Sequence, residues 1–155
     1  VSEPAGGILL IAHIVAAFTA YGALSATGTF ARLARSARDP FGDARLRRFF
    51  KPGHNLASRV LYAVPLLGFG ILLTDPHSEF SRPYPWIGLG IWVVSIGVAT
   101  GALWPAERAL QAVIASGGGS DSRARLDAAA RKIERSAIVL VACFCGAFVV
   151  MVGRL

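Results

Sequence analysis

Charge is what four stretches of this chain do without. Residues 4–31, 60–74, 83–106 and 136–153 contain no Asp, Glu, Lys or Arg, and only 16% of the 155 residues are charged against 54% hydrophobic. A bilayer core takes about 20 apolar residues of helix, and a charge at its centre costs about 2.5–3.5 kcal/mol. The pattern predicts one all-α membrane domain over 1–155, a four-helix bundle with spans near 6–31, 55–74, 84–105 and 136–153 and with cytoplasmic helical extensions. It leaves no residues for a separate soluble domain.

Cysteine is nearly absent too. The two present, Cys143 and Cys145, lie two residues apart in the last span, roughly 200° around a helix. They cannot bond to each other or share a metal there, so they read as small packing residues. Also missing are a Ser/His/Asp arrangement, a phosphate-binding glycine loop and Cys/His metal spacing. No charge sits at mid-membrane to serve a proton relay. Enzymatic function has little support.

Positive charge is plentiful, with a net charge of +7. In a soluble protein this would point to nucleic acid. Here the basic residues cluster between spans: Arg32, Arg35, Arg38, Arg45, Arg47, Arg48, Lys51 and Arg59 in one segment, and Arg108, Arg123, Arg125, Arg131, Lys132 and Arg135 in another. Only Arg82 and Arg154 fall on the other side. The positive-inside rule therefore predicts both large loops in the cytoplasm and both termini outside, in a multi-pass inner (plasma) membrane protein. Glu3 and the absence of a basic leader argue against a cleavable signal in the first span.

Local signals fill in the rest. The first span continues through Arg32, Arg35 and Arg38 until Asp39-Pro40 stops it. Asp43 is placed to cap a short helix, Ala44–Lys51, with the basic and aromatic composition of an interfacial helix. Its Arg45, Arg47, Arg48 and Lys51 are candidate contacts for anionic lipid headgroups. Asn55 is the expected N-cap of the second span, which is short and needs Arg59 to snorkel. Pro65, Gly68 and Gly70 predict a kink at its middle. Tyr84, Trp86 and Trp104 read as interface anchors of the third span, and Pro105 as its break or the start of a helical continuation to Ser116. Gly117–Ser120 reads as a flexible linker. From Ser120 or Asp121 one helix runs into the fourth span, with Leu126, Ala130, Ile133 and Ala137 on one stripe and an Asp127–Arg131 pair.

Small residues mark where membrane helices meet, because lipid provides no hydrophobic drive for their association. The first span has Ala12, Ala16 and Ala20, then Gly22 and Ala26. The third has Gly97 and Gly101, a GxxxG, with Gly90 further out; the fourth has Ala142 and Gly146. These faces either pack within the chain or dock another subunit. Ala16, Ala20, Gly97, Gly101, Ala142 and Gly146 are the candidates for partner contact.

His13 is the one ionisable side chain deep in a predicted span, which makes it a functional candidate. His77 lies in the outer loop beside Asp75 and Glu79, and His54 lies on the opposite side. His13 is either neutral and hydrogen-bonded to a neighbouring helix or a ligand to haem or copper. Tyr21, Ser25, Thr27 and Thr29 make the inner half of the first span polar; such hydroxyls can bond their own i−4 carbonyls.

Ile11-Ala12-His13-Ile14 in the first span, Arg32-Leu33-Ala34-Arg35 at its exit, Pro85-Trp86 opening the third and Met151-Val152-Gly153 ending the last resemble a family of bacterial four-span predicted integral membrane proteins of unknown function. That family is similar in layout to copper-resistance membrane domains and to the small membrane protoporphyrinogen oxidase; the latter resemblance implies a haem-ligand role for His13. The Ala/Arg-rich composition resembles that of actinobacterial proteins. The expected function is a non-catalytic accessory subunit of a larger cell-envelope complex, by analogy a lipid importer or exporter. Its expected partners are integral membrane subunits and anionic lipids, with no nucleic acid and no cofactor. The alternatives are a haem or copper redox protein using His13 and a self-contained lipid or small-molecule carrier.

Overall fold

The computed structural model describes residues 3–53, 56–74 and 81–153, and every regular element among them is helical. In chain order these are α1 (Glu3–Ser36), α2 (Ala44–Phe49), a 3₁₀ stretch (Leu56–Tyr62) continuous with α3 (Ala63–Leu72), α4 (Pro83–Val98), a π-helical turn (Ala99–Leu103), α5 (Trp104–Ala115) and α6 (Ser122–Gly153). Three runs, Gly6–Ser36, Pro83–Ala115 and Ser122–Gly153, are long and apolar enough to cross a membrane, while the apolar Leu56–Leu72 is shorter. Ile8, Ile11, Val15, Ile138 and Val152 stand exposed on their outer faces. Contiguous apolar surface of this extent marks a membrane protein.

α1 runs antiparallel to α3 and α6, and α4 runs antiparallel to α6. Gly28 meets Ala137 and Phe18 meets Phe144, so α1 and α6 are opposed. Gly6 meets Thr74 and Gly70 meets Leu9, so α1 and α3 are opposed. Gly146 lies against Ile91, and Gly88 against Met151, which opposes α4 to α6. The first turns of α1 and the last turns of α6 therefore share one end of the bundle. The opposite, Arg-rich end carries α2, α5 and the first half of α6.

Packing is densest at the Arg-rich end. Ala31, Ala34, Leu46, Leu61, Leu103, Leu110, Leu126, Ala130 and Ile133 are fully buried there in one cluster. The stripe expected at 126, 130, 133 and 137 faces this core. Asp43 caps α2 as expected, its Oδ1 accepting from the Arg45 amide at 2.8 Å and the Leu46 amide at 3.4 Å. The apolar side of α2 does not face lipid. Leu46 and Phe50 point into the protein core rather than into lipid, and Phe49 stacks on Phe30 of α1 with centroids 3.9 Å apart.

Two prolines explain the two departures from α-geometry. An α-helix would send the N–H of residue 65 to the Leu61 carbonyl, but Pro65 has none. The Trp92 indole of α4 donates to that carbonyl instead, at 2.9 Å, as membrane helices require of a neighbour. Of the three residues at which a kink is expected, Pro65 carries the irregularity, in the 3₁₀ stretch before it, while the helix is regular through Gly68 and Gly70. Pro105 likewise cannot donate to the Gly101 carbonyl. The chain relaxes there into the π-turn, in which the Trp104 amide reaches the Ala99 carbonyl five residues back. Helix then continues to Ala115, so Pro105 opens an extension rather than ending the span.

The glycine run after α5 is a turn, not a tether. Gly117 and Gly118 take positive φ, 74° and 95°, and the Phe41 ring lies over Gly118. α1 ends at Ser36, before Arg38, and the expected N-cap Asn55 lies outside the described residues.

Candidate functional site

His13 ties α1 to α3. Its Nδ1 lies 2.9 Å from the Val64 carbonyl oxygen. A carbonyl only accepts, so Nδ1 carries the proton, and the neutral form of the ring has its lone pair on Nε2. Gly68 leaves room for the ring, since a Cβ there would stand 3.3 Å from the imidazole Cε1, a tight contact. The orientation also fits a metal-ligating imidazole, which typically donates its second N–H to a carbonyl. Among the described residues no group of three or more His, Cys, Asp or Glu converges to hold a metal. His54, His77, Asp75 and Glu79 lie outside the described residues. His13→Asn keeps a donor for Val64 and should retain the fold, with stability lowered by no more than about 0.6 kcal/mol, the average for a membrane interhelical hydrogen bond. Thermal unfolding in detergent measures this; collapse of the variant would show that the ring does more than bridge two helices.

The hydroxyls of α1 bond as expected. Thr27 and Thr29 donate to the Ala23 and Ser25 carbonyls at 2.9 and 3.2 Å. Tyr21 instead reaches across to Ser95 of α4 at 2.8 Å, beside the Phe144 ring 5.0 Å away. Cys143 is half-buried and Cys145 exposed, both free.

At the Arg-rich end, charges bind helices together. Arg35 of α1 pairs with Glu134 of α6 at 2.8 Å. Arg123 donates to the Ala37 carbonyl at 2.9 Å and the Arg35 carbonyl at 2.5 Å, satisfying the orphan acceptors at the end of α1. This corrects the expected Asp127–Arg131 pair, since Asp127 faces back to Arg123 at 3.6 Å. Trp104 is not an interface anchor either. It is 2% exposed, with the Arg59 guanidinium 3.7 Å above its ring centre. Glu107, Glu134, Arg123 and Gly28 were not singled out from sequence. The acidic residue in the first turn of α5, Glu107, was the available signal.

The small-residue candidates divide. Ala16 and Ala20 are buried within the chain at 7% and 0% exposure and cannot face a partner. Gly146 is half-buried, with Ile91 3.9 Å from where a Cβ would stand. Gly97, Gly101 and Ala142 are exposed, and a Cβ added to Gly97 or Gly101 would meet no atom within 4 Å. Gly90 is open in the same way. At 100° per residue the three glycines fall within roughly 40° of one another. Arg45, Arg47, Arg48 and Lys51 are all exposed around α2.

Comparison with protein families, with curated proteins and with solved structures finds no match to this chain.

Proposed function

We propose that this chain is a non-catalytic, four-span accessory subunit that docks against the membrane helices of a larger envelope complex. One observation carries the reading: the glycine face at residues 90, 97 and 101, on α4 and the π-turn after it, meets no neighbour among the described residues. Small residues in a membrane helix let a second backbone approach closely. A lipid gains nothing from them, so the occupant that fits is another subunit's transmembrane helix. Extraction in mild detergent should yield this chain in a stoichiometric complex with integral subunits. A monodisperse 16.3 kDa monomer recovered from native membranes overturns the proposal.

The geometry of Leu56–Leu72 supports a fourth span. Its first seven residues are 3₁₀ and its next ten α-helical. At about 2.0 and 1.5 Å per residue the length is about 29 Å, close to the ~30 Å hydrocarbon core. Arg59, held against Trp104, sits at the Arg-rich end as a snorkelling side chain would. With both Arg-rich segments at one end, the positive-inside rule orients the bundle with both termini outside. A cysteine introduced at Gly118 should be labelled only from the cytoplasmic side of sealed vesicles; labelling from the outer side of intact cells would reverse the orientation.

The second reading, a haem or copper protein using His13, draws on its free Nε2. A stoichiometric Soret or copper signal lost in His13→Asn would establish it in place of the accessory role.

A further inference from the structure

The four basic residues of α2 are equally exposed but not equally placed. Arg47 and Lys51, four residues apart, line a cleft of about 290 Å³ between α2 and α5. Arg45 and Arg48 are not part of its lining. Gln111 of α5 adds a neutral donor on the facing wall, and Phe41, Phe50 and Ile114 supply an apolar floor. Phe50 and Ile114 are 2% and 5% exposed, held in the core, so the floor is fixed. The α5 wall turns away at Gly117, whose φ of 74° suits glycine. Among the described residues no carboxylate lines the cleft.

Depth agrees with this chemistry. Gln111 lies five residues beyond Ala106, where the uncharged run ends, about 7.5 Å along the helix at 1.5 Å per residue. That places the cleft in the headgroup layer, which flanks the hydrocarbon core by about 5–7 Å on each side. Two cations and an amide over an apolar floor match one ligand chemistry, a phosphate attached to an apolar body. A free phosphate would use the cations and leave the floor wet.

We propose that the α2–α5 cleft binds the phosphate of one anionic phospholipid, with Arg47 and Lys51 on the phosphate oxygens, Gln111 donating to an ester oxygen, and Phe41 against the glycerol and first methylenes, above the buried Phe50 and Ile114. The site needs no partner subunit, so it stands or falls separately from the accessory role.

The test uses the purified full chain in neutral detergent, with short-chain phosphatidylglycerol as probe and phosphatidylcholine of equal chain length as comparator. Phosphatidylglycerol should bind and phosphatidylcholine should not. At about fivefold per basic residue, Arg47→Gln with Lys51→Gln should weaken binding about thirtyfold. Arg45→Gln with Arg48→Gln removes the same charge and should weaken it less than about threefold, through the screened long-range field alone. Gln111→Glu, which sets a carboxylate against the phosphate from the other helix, should abolish binding with the basic residues intact. Equal losses in the two double variants would show diffuse attraction and overturn the site. Displacement by inorganic phosphate at matching concentration would assign the cleft to a soluble anion and overturn the lipid. Unchanged thermal unfolding of each variant confirms that the fold is not what was lost.

Discussion

Gly28→Leu should prevent the bundle from closing. Gly28 is buried where α1 crosses α6, and a Cβ on it would stand 2.5 Å from the Ala137 Cβ. That atom is the stem of a short side chain and has no flexible end to move aside. The two helices would have to separate over the stretch that also holds Arg35–Glu134 and Phe18–Phe144. Overpacking of this kind costs about 1–3 kcal/mol for one or two added carbons, and leucine adds four. Gly28→Ala should therefore fold with a clearly lowered melting temperature, and Gly28→Leu should fail to give a monodisperse protein. Ala137→Gly in the Gly28→Ala background returns the missing space and should recover most of the loss. A Gly28→Ala protein as stable as the wild type, unchanged by Ala137→Gly, would show that the helices do not cross there.

The same substitution at Gly97 should do the opposite. Leucine at 97 or 101 extends into open space, and losing glycine from a helix interior favours the helix by about 0.5–1 kcal/mol. The isolated chain should be as stable as the wild type or slightly more so. If a partner helix lies against this face, a leucine holds the two backbones apart and the complex should be lost on purification. Cys143→Ala and Cys145→Ala should leave the complex intact, since neither thiol has a bonded partner. Full recovery of the complex with both glycines replaced would move the docking face elsewhere. Ala142 of α6, also exposed, would then be the next position to test.

The two glycines show where sequence reading stops. Gly28 and Gly97 both lie in uncharged runs with small neighbours, and GxxxG spacing favoured Gly97 as the tight crossing. Spacing gives the face of a residue on its own helix but not which helix, if any, comes to that face. Ala16 and Ala20 were open to either use for the same reason, and the neighbouring helices bury them. His13 was more legible: an ionisable ring in an apolar run had to find a partner. Its choice of the Val64 carbonyl depends on α3 lying alongside, 51 positions away in sequence.

Charge-free runs, Arg-rich joints and the Asp43 cap are local properties of the chain. They follow from the cost of charge in hydrocarbon and from hydrogen bonds within a few residues, so the sequence by itself determined a helical membrane protein and where its helices are joined. The buried stripe at 126, 130, 133 and 137 belongs to the same class, because its period lies within a single helix. Pairings between distant residues do not. Trp92 answering the gap left by Pro65, Arg123 closing the end of α1, Arg47 and Lys51 facing Gln111, and Gly28 against Ala137 each depend on how helices are set side by side. Interhelical contacts are short-ranged, so a shift of an ångström makes or breaks them. Only the tertiary structure decides which of many compatible side chains come within reach.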